Sequence, residues 1–486
     1  MTWIEQLADW VSATTLDDCP ARIVEGARVQ ALSVIASRFH ARHDAAARSV
    51  LRAARNWPAG EVPTTDDGPR LHPHYAILVN CALSLVYDYD DYLLVGHTGH
   101  STVNVSRALA QAYGSTHEEA LLAQIVGNEI GARLGFSAFV GPQNGQQLPF
   151  LHQVSAAVVA SKLMSLDAEQ TAHAIAIALS QPPAPLWPAF LGDSGAKILV
   201  AAQPAVNGVQ GAELAAAGMT SALDLLDHSH GFFRRFTFMP LPELLGGLGE
   251  TWLSDSIHLK PYPACAYHQT VFDALEGAIR EASGRGEAVS TSNIQRIEVE
   301  TTILATTVSK LADNRRQPGA IRPNDVNFSI PVGAAVYFLA GRLTTAELQG
   351  DWLLDHAEAI ETIAARVQVK HGVGFSRMLL KALDDRLGLL RLLGQTPDRR
   401  FLEALPQWLQ SFPGYPTIDV DSIEQLLPTV TGVFDLVSTL WNRERGRAYD
   451  VAEHSLEGFV FPFGARATLV NTNGDRFEHT SVFARG

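Results

Sequence analysis

Cysteine and long apolar runs are scarce in this sequence. It contains three cysteines, Cys19, Cys81 and Cys265, and no two of them form a CxxC pair. This spacing gives no support to a disulfide framework, a zinc ribbon or a thioredoxin motif, and a reducing cytoplasm is the expected location. No apolar run approaches the ~20 residues that span a bilayer, and no signal peptide is recognisable, so we expect no membrane segment.

Positive charge is also in short supply. The 486 residues include 37 Lys and Arg against 51 Asp and Glu, so the net charge is −14. An acidic chain repels phosphate backbones, and we therefore expect no nucleic-acid partner. A small anionic substrate remains compatible with this charge, because a site can be locally basic within an acidic protein.

Helical periodicity dominates the chain up to residue 257. Apolar residues recur there at the spacing of buried helix faces. The clearest helices are predicted at residues 20–42, 74–86, 101–113, 118–134 and 205–218. Asp167, with Gln170 three positions later, has the pattern of a capping box and predicts the start of another helix.

Strand patterns appear only later in the chain. Ile294–Thr302 and Ala365–Lys370 alternate polar and apolar residues, and Asn473-Gly474 predicts the turn of a C-terminal hairpin. Between them, helical periodicity returns. We therefore predict a mainly α fold, with a large all-helical domain at 1–257 and a smaller α+β domain at 258–486 that carries a helical insertion at about 374–453.

Acidic and imidazole side chains cluster between two predicted core helices. Asp88-Tyr-Asp-Asp91 follows the helix at 74–86, and His97 and His100 precede the next helix. Loops in such places carry polar groups that face clefts, so the cluster fits a general acid or base with a substrate anchor. A metal site of two histidines and a carboxylate, or simply solvated surface groups, would use the same residues.

Two lysines and a cysteine stand in segments that also favour a site. Lys197 precedes a helix rich in small residues and is able to bind a carboxylate as a point charge. Lys260 and Cys265 belong to KPYPAC, whose prolines hold an extended backbone at the predicted domain junction. The Cys265 thiol would act as an acid or base if Lys260 lowered its pKa. The alternative is a rigid linker with a small packing residue.

Taken in order, these segments resemble one family, the MmgE/PrpD superfamily, over about residues 3–370 and again at the final hairpin. This superfamily contains 2-methylcitrate dehydratase, cis-aconitate decarboxylase and iminodisuccinate epimerase. The opening LADWVSATTLDDCPARIVEGARVQALSVIASR resembles its first two helices. VNCALSLVYDYDD followed by HST resembles its N-G-x-x-x-H-x-x-D-[YF]-D-D-T…H-P-S signature, SAAVVASKLMSLD its A-A-A-A-K-L-L-G-L-D helix pair, and KPYPA its K-x-[YF]-P junction.

The resemblance implies a homodimer in which each protomer has a helical domain and an α+β lid over the active-site cleft. It implies neither a metal nor a cofactor. Asp88 falls on the first Asp of the signature and His100 on the His of H-P-S. Asp88 would be the base or its orienting partner, while Lys197, Lys260 and His100 would hold the carboxylates of a small anionic substrate.

Several positions depart from the family pattern. The Thr of D-D-T is Tyr92, and the Pro of H-P-S is Ser101. A family histidine falls near Gln146, with His152 close by, and a variable lid position is Cys265. We therefore expect Cys265 among the catalytic residues, and Tyr92, His97, Ser101, Gln146 and His152 among those that bind substrate.

The resemblance and these residues together predict a metal-independent lyase. A dehydratase of a small hydroxy-polycarboxylate is favoured, in which a proton leaves the carbon beside a carboxylate and water is lost. An epimerase or isomerase, or a decarboxylase, would use the same site. A non-catalytic binding protein on this fold is the alternative from a different class.

Overall fold

The computed structural model describes residues 1–393 and 448–485, apart from 66–67, 95, 142–146, 184–185, 192–193 and 318, together with Ala404 and Gln407. Helices account for most of this part of the chain. They are α1 Trp3–Ala13, α2 Ala21–Ala41, α3 Ala45–Ala54, α4 Pro73–Ser84, α5 Gly99–Tyr113, α6 His117–Ser137, α7 Gln147–Leu163, α8 Ala168–Ser180, α9 Trp187–Phe190, α10 Leu199–Ala216, α11 Phe232–Phe236, α12 Gln269–Gly284, α13 Ile303–Asp313, α14 Pro323–Phe328, α15 Ile330–Ala340, α16 Gly350–Asp355, α17 Ala357–Ala364, α18 Val373–Leu387 and α19 Leu389–Leu393.

Local capping explains where several of these helices begin. The capping box predicted at Asp167 is confirmed: its side chain accepts from the Gln170 N–H, and the Gln170 side chain accepts from the Asp167 N–H. Thr116 and Glu119 form the same motif before α6. Such reciprocal bonds satisfy backbone donors that the first turn of a helix leaves free.

Helices α6, α8 and α10 pack around α7, and this group forms much of the apolar interior. Small residues allow the α7–α10 pair to approach closely. A Cβ atom built on Gly208 would lie 2.1 Å from the Gln153 carbonyl oxygen of α7. Any larger residue at Gly208 would therefore force the two helices apart.

A four-stranded sheet lies in the second half of the chain. Its strands are β5 Ile294–Thr301, β6 Val367–His371, β7 Ala465–Asn471 and β8 Arg476–Ser481, in the order β6-β5-β7-β8. β5 and β6 are parallel, and the other two pairings are antiparallel. All four predicted strands are thus confirmed, and Gly474 in the hairpin turn has the positive φ of 89° that the Asn-Gly sequence favours.

Two short strand pairs had no counterpart in the sequence patterns. β1 Ala59–Pro63 pairs with β2 Arg70–Leu71. β3 Asp91–Tyr92 pairs with β4 His258–Leu259 in an antiparallel register, Asp91 opposite Leu259 and Tyr92 opposite His258. The β3–β4 pair is the one that matters for the site, because it brings the segment after α4 against the segment that carries Lys260.

The helical insertion predicted at about 374–453 is described only in part. α18 and α19 cover its first twenty residues, and a short 3-10 turn at Val451–Glu453 covers its end. Apart from Ala404 and Gln407, residues 394–447 lie outside the described residues. The division of the chain at residue 257 stays a prediction. No helix in the described ranges is long and apolar enough to cross a bilayer.

Candidate active site

Charged side chains from four separate segments meet in the interior. The loop after α4 contributes Asp88 and Asp90, the start of α5 contributes His100, the turn before α10 contributes Lys197, and the segment after β4 contributes Lys260. All five are buried, none exposing more than 4% of its surface. Ionised groups are seldom buried unless they are paired or await a ligand, so this cluster is the candidate active site.

Lys260 forms the centre of this cluster. Its Nζ donates to the Asp88 carbonyl oxygen, to Asp88 Oδ2 and to Asp90 Oδ1, each at 2.9 Å. The β3–β4 pairing is extended by a bond from the Lys260 N–H to the Asp90 carbonyl oxygen at 3.0 Å, which fixes this approach. Burial alone would lower the pKa of Lys260, but the two carboxylates raise it above its ordinary value. Lys260 therefore stays cationic and organises the two aspartates.

Asp88 adopts an uncommon backbone conformation to make these contacts. Its φ is +52°, in the left-handed region that non-glycine residues rarely occupy. This conformation turns both its carbonyl oxygen and its carboxylate toward Lys260. Although burial would raise the pKa of Asp88, Lys260 and Lys197 hold it below its ordinary value. An ion-paired carboxylate of lowered pKa is a weak base. Asp88 therefore fits the orienting role better than the role of the base.

Lys197 differs from Lys260 because its ammonium has no hydrogen-bond partner among the described residues. Only 2% of the residue is exposed. Its Nζ lies 3.8 Å from Asp88 Oδ1 and 4.5 Å from the centre of the Phe328 ring, and it makes no hydrogen bond to the part of the chain that the structure describes. Burial lowers the pKa of Lys197. A buried ammonium with free N–H groups is costly unless an anion arrives to accept them, which makes Lys197 suited to bind a carboxylate.

Asp90 faces two imidazoles with its second oxygen. Oδ2 lies 2.9 Å from His100 Nε2 and 3.1 Å from His97 Nδ1. Burial would raise the pKa of Asp90, but His100, Lys260 and His97 together hold it well below its ordinary value. The pKa of His97 is raised, because Asp90 outweighs the opposing effects of burial and Lys260.

A metal ion is the alternative occupant of this corner. Asp90, His97 and His100 each offer a ligand-type atom, and these atoms lie within 4.8 Å of one another. His97 Nδ1, however, is 2.6 Å from the Asp91 carbonyl oxygen, which can only accept, so this nitrogen carries a proton. Lys260 already contacts the other Asp90 oxygen. The cationic groups around Asp90, with the protonated Nδ1 of His97, fit a network of ion pairs better than a bound metal dication.

His152 lies on the far side of His100. Its ring centre is 5.9 Å from that of His100, and its Nδ1 is 3.0 Å from Ser101 Oγ. Burial, with the positive charge of His100 and His97, holds the pKa of His152 well below its ordinary value. His152 is therefore neutral at neutral pH. The structure thus brings together seven of the ten predicted site residues: Asp88, His97, His100, Ser101, His152, Lys197 and Lys260.

Comparison with known proteins gives the family of the chain. Residues 5–243 match the MmgE/PrpD N-terminal domain. The chain belongs to the MmgE/PrpD superfamily. The superfamily resemblance found in the sequence is thereby confirmed.

Curated relatives within the superfamily include cis-aconitate decarboxylases. A cis-aconitate decarboxylase-like protein of Aspergillus oryzae is 25% identical over 316 residues, 60% of this chain and 65% of the relative. The cis-aconitate decarboxylase of Aspergillus terreus is 25% identical over 314 residues, 61% of this chain and 64% of the relative. Human cis-aconitate decarboxylase is 28% identical over 239 residues, 47% and 49% of the two chains. The matches thus cover less than two thirds of each relative.

The remaining three predicted site residues are Tyr92, Cys265 and Gln146. Tyr92 packs among aromatic rings, 5.8 Å from His258 and 6.2 Å from Phe461 and Phe463. Burial and the charge of Asp88 raise the pKa of Cys265 to about 12, although Lys260 opposes this, so the lowered pKa required for an acid–base thiol is not found. Gln146 lies outside the described residues.

Sequence reasoning missed several residues that shape this MmgE/PrpD site. Asp90 was visible in the signature, but only the structure shows that it bridges Lys260 and His100. Asn327 Nδ2 donates to the Tyr87 and Pro263 carbonyl oxygens, which ties the two site segments together. His268 is fully buried three residues after Cys265, and burial lowers its pKa to about 4. No sequence pattern distinguishes His268 or Asn327 from ordinary core residues.

Proposed function

We propose that this chain is a lyase that acts on a small polycarboxylate, with bond cleavage beside a carboxylate. The observation that carries the proposal is the buried ammonium of Lys197, which has no hydrogen-bond partner in the described ranges and lies beside the Asp88–Lys260 pair. A carboxylate of the substrate would accept its N–H groups. Negative charge that develops on an adjacent carbon would then be stabilised by fixed cations in a dry site.

Decarboxylation fits this set of groups best. Asp88 and Asp90 are both engaged by Lys260, so neither offers a free basic carboxylate, and decarboxylation requires no base. The bond to the departing carboxylate would break, its electron pair would stay on carbon, and CO₂ would leave. A proton from His100 would then form the new C–H bond. The names of the curated relatives support the same reaction.

Dehydration, which the sequence favoured, is the second candidate because the site also contains a neutral imidazole. His152 would accept the proton from carbon, and His100 would protonate the departing hydroxyl group. Proton removal without loss of water would give the epimerase or isomerase.

The homodimer, the lid over the cleft and the cytoplasmic location are part of the same proposal. Light scattering on the purified protein tests the dimer. A molar mass equal to one chain would contradict it.

Proton NMR in D₂O with cis-aconitate and a panel of hydroxy- and imino-polycarboxylates, with a chelator present, tests the function. We expect loss of CO₂ and one deuterium in the alkene product. Loss of water would support the dehydratase, and deuterium uptake without cleavage the epimerase. Ligand binding without turnover would indicate the non-catalytic protein.

Lys197→Met tests the observation itself, because it keeps the length of the side chain and removes the charge. We expect turnover to fall by about 100-fold or more, as when a fixed charge at a developing anion is lost. The control is Lys381→Met, since Lys381 is exposed and pairs only with Asp385. Full activity of Lys197→Met would overturn the proposed anchor.

A further inference from the structure

Both ring nitrogens of His100 have polar neighbours in a fully buried setting. Nδ1 lies 2.9 Å from Ser84 Oγ, and Nε2 lies 2.9 Å from Asp90 Oδ2. The residue has no exposed surface. An imidazole between two neighbours reveals its protonation state if each neighbour can be identified as donor or acceptor.

The single hydroxyl hydrogen of Ser84 has another destination. Ser84 is the last residue of α4, where the Leu85 N–H bonds to the Ala82 carbonyl oxygen rather than to that of Cys81. The Cys81 carbonyl oxygen instead accepts from Ser84 Oγ at 2.8 Å. This bond satisfies one of the carbonyl groups that the end of a helix leaves free. The hydrogen of Ser84 is therefore not available to His100.

Ser84 Oγ is consequently an acceptor on its other side. Asn104 Nδ2 donates to it at 3.2 Å, and its other polar contact among the described residues is His100 Nδ1. Two lone pairs facing each other at 2.9 Å would repel, so Nδ1 must carry a proton.

Nε2 must also carry a proton, because it faces a carboxylate. Asp90 has a pKa well below its ordinary value and is an acceptor only. The charged or titratable groups around His100 are Asp90, Asp91, His97 and His152, with Lys260 behind Asp90. Although Nε2 and Asp90 Oδ2 are 2.9 Å apart, neither atom has an aligned hydrogen-bond partner among the described residues. The Nε2–H group is thus ion-paired with Asp90 without an aligned hydrogen bond to it, which leaves its hydrogen available to a substrate.

We propose that Ser84 is a positioning residue that, opposite Asp90, holds His100 as an imidazolium with its Nε2–H available as the proton donor of the site. The donor role rests on the proposed lyase function, whereas the protonation state does not. Ser84 occupies an unspecified position of the N-G-x-x-x-H-x-x-D signature.

Nitrogen NMR of the protein labelled with ¹⁵N-histidine tests the protonation state without any substrate. At about pH 8 an ordinary imidazole is mostly neutral, with one unprotonated nitrogen. We expect both nitrogens of His100 to be protonated there, with His100→Gln used to assign its signals. An unprotonated nitrogen in His100 at this pH would overturn the proposal and leave the lyase function intact.

Ser84→Ala tests the positioning role, because it removes the acceptor of the Nδ1–H. We expect kcat to fall about tenfold or more with little change in KM, and the loss of activity toward high pH to begin at a lower pH. Ser84→Thr, which keeps the hydroxyl group, should restore most of kcat and the pH profile.

Ser106→Ala is the matched control. Ser106 is equally buried and also donates to a carbonyl oxygen three residues back, that of Val103, but it contacts no histidine. Equal losses in Ser84→Ala and Ser106→Ala, with unchanged pH profiles, would reduce Ser84 to a structural residue and overturn the proposal. If no substrate is turned over, the NMR result alone decides the protonation state.

Discussion

The Glu129–Arg133 pair and the cluster around Asp88 are two buried ion groups that differ in how completely they are bonded. Glu129 accepts from the N–H groups of Leu253 and Ser254 at 3.0 Å and from Ser254 Oγ at 2.6 Å. The terminal nitrogens of Arg133 donate to four carbonyl oxygens, those of Leu244, Gly246, Gly247 and Thr251. The pair thereby holds the glycine-rich loop that contains Gly246 and Gly247.

The cluster around Asp88 has the same kinds of side chain but leaves polar atoms without partners. Within the described residues, Lys197 Nζ, Asp90 Oδ2 and His100 Nε2 are buried and make no aligned hydrogen bond. In the Glu129–Arg133 pair this holds for one atom, Arg133 Nε, which lies 2.8 Å from Glu129 Oε1. A nearly fully bonded ion pair stabilises one conformation, whereas several unbonded charges raise the free energy of the unliganded state. The difference separates a structural ion pair from a group of charges that is ready for a ligand.

The largest effect is expected from Arg133→Met. Removing one partner of a buried pair costs ~3–5 kcal/mol, because Glu129 and four carbonyl groups lose their donor. Urea unfolding should show this loss, while kcat of the folded fraction stays near that of the wild type. The exposed Arg107→Met is the control. A large fall in kcat with unchanged stability would contradict the structural role of the Glu129–Arg133 pair.

Lys197→Met should show the opposite pattern. Although this variant should lose activity, its free energy of unfolding should fall by less than ~1 kcal/mol or should rise. The reason is that an apolar side chain replaces an unbonded buried charge. Urea unfolding beside the Arg133 variant measures this. A loss of stability as large as that of Arg133→Met would place Lys197 in the structural class.

A smaller effect of pH is expected from His97. Its pKa is raised in the folded state, so its contribution to stability is complete below its unfolded pKa of about 6.5 and is lost as pH rises through the folded pKa. The difference in Tm between wild type and His97→Gln, expected to be about 2 °C, should therefore shrink as pH increases. Thermal melts against pH, with the exposed His117→Gln as control, measure it. A difference that grows with pH would contradict the assignment.

The smallest effect is expected from Cys265→Ser. The raised pKa keeps this thiol neutral, and it packs with Leu191, Leu311 and Phe328. The rate should change by less than about threefold and keep its pH dependence. Rate measurements across pH check this, with Cys19→Ser as control. A changed pH profile would return Cys265 to the catalytic group.

Much of the fold could be predicted because its signals are local. Asp167 and Gln170 mark a helix start within four residues, and Asn473-Gly474 marks a hairpin turn. The β3–β4 pair could not be predicted in this way, since two-residue strands carry no periodicity. The site residues divide in the same way between local and long-range signals. Asp88, Lys197 and Lys260 could be recognised within their motifs. The roles of Ser84 and Asn327 depend on neighbours distant in sequence.

The sequence by itself determined the order of the elements, the superfamily and the set of charged residues from which a carboxylate site could be built. Only the tertiary structure decided how those charges are paired. Lys260 meets Asp88 and Asp90 across 172 and 170 residues, and Lys197 is left without a hydrogen bond. The physical reason is that periodicity and capping depend on near neighbours, whereas the bonding of a buried charge depends on every segment that the fold brings against it.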